Sequence, residues 1–198
     1  AFFGAEMSAP DTVSAKNFYA PSVSHNRMVS VSDAGAQFLR ELMSLLASLG
    51  IETNELERVE RTERERGTSV RFRFGISSEA ENLIRFFSTV GYRYNAEKQR
   101  RALQAAAYLR KKSRIIESRE TVANEAIELA DGGTPVGEIA DTFDSVNRRF
   151  IERSIYDQRA GRPRPPSDFP DFAEFVERHP IDSDMTIPVR IEEIRSLG

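Results

Sequence analysis

From Ser32 onward the apolar residues Phe38, Leu39, Leu42, Leu45, Leu46 and Leu49 recur three and four positions apart, the spacing that gathers side chains on one stripe of an α-helix. Ser32 is placed to cap that helix and Gly50 to end it. Farther on the rhythm changes. Val70, Phe72, Phe74 and Ile76 alternate with Ser69, Arg71, Arg73 and Gly75, so one strand carries an apolar face and a guanidinium face. Residues 57–66, dense in both signs, read as its solvated hairpin partner with cross-strand ion pairs. Helical spacing returns at Leu83, Ile84, Phe87 and Val90, opened by a Ser78/Glu81 capping box and closed by Gly91. A third helix is expected over residues 96–112.

The second half reads differently. Residues 120–130 carry Val122, Ala126, Ile127 and Leu129; Gly132-Gly133-Thr134-Pro135 breaks the pattern; short helices follow over 136–143 and 145–156. Two short helices joined by a tight turn, the second rich in arginine, form a helix-turn-helix pattern. Ile139, Ala140, Phe143, Phe150, Ile151 and Ile155 would make its core, leaving Asn147, Arg148 and Glu152 for a groove and Arg149 and Arg153 for phosphates. Arg159-Ala160-Gly161-Arg162-Pro163-Arg164-Pro165-Pro166 makes a stiff, basic linker and resembles an AT-hook core, which would lay Arg162 and Arg164 in a minor groove. A short helix with Phe169, Phe172, Phe175 and Val176 on one face and an alternating stretch over 187–194 close the chain. The expected organisation is an α+β domain over 1–112, an all-α helix-turn-helix domain over 113–158, a basic linker and helix over 159–180, and a strand over 181–198.

Composition narrows the chemistry. The 198 residues carry a net charge of −3, so nucleic-acid binding has to come from local clusters of arginine. No apolar run approaches the roughly 20 residues of a membrane helix, and a soluble, cytoplasmic protein is expected. With no cysteine and only His25 and His179, thiolate and zinc sites are excluded and any metal must be held by oxygen ligands.

The first residues add a family resemblance. Ala1-Phe2-Phe3-Gly4-Ala5-Glu6-Met7-Ser8-Ala9-Pro10 is an apolar, helix-like run that delivers one carboxylate where small residues take over, and it resembles the second half of the motif of LAGLIDADG homing endonucleases. Gly4 and Met7 depart from the family's commoner Asp and Gly. The order of elements over residues 1–112 also resembles the family, which implies an αββαββα domain whose mixed or antiparallel saddle sheet straddles double-stranded DNA. Ser30, Arg71 and Arg73 would then face the DNA. The resemblance makes Glu6 a ligand of Mg2+ or another divalent cation, together with the Ala5 carbonyl, and puts Lys98 near the reacting water.

One motif supplies one acid. A second repeat is therefore expected, in cis upstream or in trans as a homodimer. The stretch over 187–194 resembles the strand on which an intein's splicing part resumes, which would place the chain within an intein of a host such as an archaeal RNA-splicing ligase or a replication protein. The function so implied is site-specific cleavage of double-stranded DNA. The alternatives are a non-catalytic transcription regulator resembling the WhiA proteins and an eroded intein relic.

Overall fold

The fold is described from a computed structural model, over residues 2–10, 12–14, 16–64, 67–157 and 163–181. Two compact units divide the chain, one comprising Ala1–Leu109 and Pro170–Gly198, the other Arg110–Phe169. The elements run α1 (Phe2–Glu6), β1 (Thr12–Ser14), β2 (Asn17–Phe18), β3 (Ser22–Met28), α2 (Ser32–Ser48), β4 (Glu57–Arg64), β5 (Gly67–Gly75), α3 (Ala80–Arg85), α4 (Ala96–Asp131), α5 (Val136–Thr142), α6 (Arg148–Asp157) and α7 (Phe172–Arg178). The fold is mixed α+β. The expected terminal strand over 187–194 lies outside the described residues.

In the first unit, β5 is the middle strand of an antiparallel sheet ordered β3-β5-β4. Its alternation does what the period of two requires: Val70, Phe72, Phe74 and Ile76 are buried, while Arg73 is exposed. Opposite Phe74 the strand β3 places Val23, fully buried, and opposite Arg71 and Arg73 it places Asn26 and Ser24. Leu39 and Leu46 of α2, Leu83 and Ile84 of α3, and Phe86, Phe87 and Tyr92 are buried with them. The Phe86 ring meets Phe3 at 6.0 Å and Tyr92 at 5.9 Å, both edge to face.

Several local expectations fail for physical reasons. A 3-10 turn over Val29–Val31 precedes α2, so Ser32 is buried in the first turn and makes no side-chain cap. Phe38, Leu45 and Leu49 are 40%, 56% and 43% exposed, so only part of the apolar stripe packs. The Ser78/Glu81 box does not form; α3 starts after Glu79, without a side-chain cap, and widens into a π turn over Phe86–Val90 before Gly91. Residues 113–119 contain neither glycine nor proline, and α4 runs through them as one helix of 36 residues where two were expected.

Asn82 joins two connections that carry no sheet of their own. Its Oδ1 accepts from the Glu52 amide at 2.7 Å, and its Nδ2 donates to the carbonyls of Glu52 and Ser77 at 2.9 and 3.0 Å. The start of α4 is fastened similarly to the segment after α1. Tyr92 Oη donates to Ser8 O at 2.8 Å, Lys98 Nζ to Met7 O at 2.9 Å and Arg101 Nε to Pro10 O at 2.6 Å. Burial pushes the Tyr92 hydroxyl pKa up, so it stays a donor at any physiological pH. Phe18, Tyr108, Phe172 and Phe175 form a second aromatic cluster that seats α7, with Tyr108 Oη donating to Pro170 O at 3.1 Å.

The second unit is small. Val122 and Ala126 of α4, Ile139 and Ala140 of α5 and Ile151 of α6 are buried together, with Phe143, Val146, Phe150 and Ile155 packed against them. Gly133, at φ +89, makes the turn after α4 in a conformation that favours glycine. The helix α6 begins not at Ser145 but after Asn147, whose Oδ1 accepts from the Phe150 amide at 2.9 Å.

Candidate nucleic-acid interface

Glu6 ends α1 with its side chain exposed. Ala5 precedes it in the same short helix, and His25 of β3 is an electrostatic neighbour of the carboxylate. Among the described residues no three histidine, cysteine or carboxylate side chains come together. A divalent ion takes several oxygen ligands, carbonyls and waters among them; Glu6 offers one exposed carboxylate to such a site. The Lys98 ammonium donates to the Met7 carbonyl, beside Glu6 in sequence.

His25 sits on the apolar face of the sheet, paired across from Phe72, with its Nδ1 buried. Burial first, then the neighbouring Arg27, lowers its pKa below 6.5, while Glu6 opposes the shift. The unfolded chain then binds the proton more readily than the fold. Stability is therefore expected to be complete above about pH 6.5 and to decline as pH falls below it. Urea titrations between about pH 5 and pH 7.5 should show this slope, and His25→Gln should flatten it; an unchanged slope in the variant removes His25 as its source.

The polar face of the sheet brings Arg71 and Arg73 together. Arg71 Nη2 donates to Ser24 Oγ at 3.2 Å, and Arg73 lies between Ser24 and Glu57 in register. Ser30 does not join them. It falls in the 3-10 turn, outside the strand, and lines a shallow pocket with Met28, Val29, Arg58 and Thr68.

The second unit holds a cleft of about 1000 Å³. Arg149 and Arg153, one turn apart on α6, line it, and Arg164 joins them from the segment beyond residue 162. Asn147 and Asn124 contribute amides, and Pro163, Pro165 and Pro166 an apolar wall. Arg119 of α4 lies over the Phe150 ring, 3.9 Å from its centroid, a cation–π contact that ties α4 to α6. Burial lowers the Arg119 pKa, and Asp168 pulls against that shift. Arg148 is placed otherwise: it lies outside the cleft lining and pairs with Glu152 at 3.1 Å and with Asp141 at 3.7 Å. Arg162 lies outside the described residues.

With this geometry in hand, the chain's relatives can be placed. It is 33% identical, over 157 residues and 79% of its length, to a tRNA-splicing ligase RtcB of Methanopyrus kandleri. It is 27% identical, over 173 residues and 84% of its length, to a tRNA-splicing ligase RtcB of Pyrococcus furiosus. The matched stretch is 15% of the first relative and 17% of the second, so the chain spans about a sixth of the length of these curated relatives. No family model matches the chain, and no solved structure matches it significantly.

These findings overturn the functional reading drawn from the first residues. Both relatives are named as ligases of tRNA splicing, neither as a homing endonuclease, an intein or a WhiA-like regulator, and no LAGLIDADG family model matches. The expected double-stranded DNA partner and the second repeat, in cis or as a homodimer, are overturned with it: the relatives' names point to RNA. The physical reason is the brevity of the motif. A short apolar run around one acid describes many helix ends, whereas an identity spread over 157 residues does not.

The residues missed by sequence reasoning are Arg119 and Asn124. They fall on the part of α4 that continues through an expected break. The available signal was the lack of any glycine or proline between residues 113 and 130.

Proposed function

We propose that the chain is an RNA-contacting segment of a protein of the tRNA-splicing ligase kind, and that it holds RNA rather than carrying the bond-forming step. The observation that carries this reading is the 33% identity to a tRNA-splicing ligase over most of the chain. Two surfaces support it. Arg71 and Arg73 share the polar face of the sheet with Ser24 and Asn26, and the second unit, with a helix-turn-helix-like core, carries the arginine cleft. With an overall charge of −3, binding must come from these local clusters. Phosphate contacts of this kind bring affinity and register without choosing a sequence.

The test is binding of a fluorescein-labelled tRNA transcript, followed by anisotropy against salt. A dissociation constant of roughly 1–100 µM at physiological salt is expected, weakening steeply as salt rises. The same sequence made as DNA should bind more weakly, because 2′-hydroxyls are lost. No RNA binding at about 50 mM salt, or DNA bound as tightly as RNA, overturns the reading.

A further inference from the structure

The cleft of the second unit has an economy that its own stability does not explain. Arg149 and Arg153 are four residues apart on α6, exposed, and on the same side of the helix. Like charges so placed repel by a few tenths of a kcal/mol. Arg148, one residue away, is neutralised by Glu152 and Asp141. Among the described residues Arg149, Arg153 and Arg164 form no ion pair, and Glu120 is the single carboxylate among the residues that line the cleft. Three exposed guanidiniums that line one cleft, against a single carboxylate, form a surface arranged for an anion from outside.

The neighbouring groups say what kind of anion. Asn147 spends its Oδ1 on the Phe150 amide, which leaves its Nδ2 hydrogens to donate. Asn124, exposed on α4, offers a donor and an acceptor within the same lining. The prolines add flat apolar surface. Phosphate-binding charges, amides able to read a base edge and an apolar wall are the complement of a nucleotide chain rather than of a free phosphate. The volume, about 1000 Å³, lies at the top of the roughly 300–1000 Å³ range of small-molecule sites and admits a few splayed nucleotides.

We infer that this cleft binds a short single-stranded stretch of RNA, with Arg149, Arg153 and Arg164 on successive phosphates and Asn124 and Asn147 on base edges. The inference rests on the proposed RNA-contacting role, and names the site and the strandedness that the role leaves open. Rigid positioning follows from the Arg119–Phe150 contact, which fixes α6 against α4 beneath the arginines. A single-stranded end or loop is what a strand-joining reaction must have held in place.

The experiment uses the full chain and fluorescein-labelled oligouridylate, with a paired RNA hairpin stem and duplex DNA as competitors. For Arg149→Gln/Arg153→Gln/Arg164→Gln, affinity should fall at least 30-fold at about 100 mM salt, and the log–log salt slope should shrink by about 2, since each lost single-strand contact removes roughly 0.7. Arg178→Gln, on α7 in the other unit, removes a charge already paired with Glu174 and should stay within twofold. Circular dichroism of the triple variant should match the parent, because the three side chains are exposed. If the parent binds oligouridylate and the triple variant binds it equally, the cleft is not the site, though the RNA-contacting role stands. Competition by the hairpin stem or duplex DNA as strong as by unlabelled oligouridylate overturns the single-strand assignment. If neither oligouridylate nor the tRNA transcript binds the parent, the broader role falls as well.

Discussion

Asn82→Leu will lower the stability of the first unit by roughly 3 kcal/mol, from the orphaning of buried polar groups rather than from any loss of volume. Leucine is close to asparagine in size and can occupy the same buried position, so packing changes little. What disappears is a three-bond junction in which one amide side chain satisfies the Glu52 N–H and two carbonyls. The Glu52 carbonyl retains the Ser77 amide at 3.0 Å, so the full loss falls on the Glu52 N–H and the Ser77 carbonyl. At about 2–4 °C per kcal/mol for a chain of this length, the thermal midpoint should drop by roughly 6–12 °C. Asn82→Asp keeps the acceptor but sets a buried carboxylate against the Glu52 and Ser77 carbonyls, and should cost at least as much as leucine. A leucine variant within 1 kcal/mol of the parent would show that water replaces the junction at no cost, and that the connections before β4 and after β5 are held by their backbone pairing alone.

The strand β5 could be read from the sequence because its burial is one-sided and its alternation is unbroken over four pairs of residues. Its neighbour β3 left no such mark. Of Ser22–Met28 only Val23 is fully buried, and a histidine and an arginine occupy the other inward positions, so the apolar signal is a single residue. The stripe of α2 was legible as helix but not as contact, since Phe38, Leu45 and Leu49 remain substantially exposed. Periodicity reports which side chains share a face, and says nothing about whether another element covers it. Likewise the core of the second unit was visible in Ile139, Phe150 and Ile151, but its α4 side, Val122 and Ala126, was assigned to a separate helix.

The site was legible in parts for the same reason. Clustered arginines announce themselves in composition, but whether each is free or paired depends on partners set by the fold: Arg148 is neutralised by two acids while Arg149, next to it, lines the cleft. Ser30 looked like a strand residue because valines flank it, yet the chain turns there into a 3-10 segment. Glu6 drew its expected role from a family resemblance rather than from its surroundings, and in the fold it ends α1 with its carboxylate exposed and His25 as an electrostatic neighbour.

Gly91→Ala is expected to cost about 3 kcal/mol, roughly 2 from backbone strain and 1 from a broken hydrogen bond. Gly91 has φ 56° and ψ −153°, a region open to glycine because any Cβ there collides with its own backbone. The added Cβ would also meet Gln99 Oε1, which accepts from the Tyr92 amide, and so would displace the bond that joins the π turn to the first turns of α4. The two costs separate in a double-mutant cycle. Gln99→Ala alone loses only the bond, about 1 kcal/mol. If the alanine at 91 acts mainly through its own dihedrals, adding it to the Gln99→Ala background should still cost about 2 kcal/mol. If instead the second substitution is nearly free in that background, side-chain crowding is the whole effect and the backbone at 91 relaxes. The first outcome would mean that glycine at 91 is what allows Tyr92 to turn inward, and with it the hydroxyl that holds Ser8 beside α4.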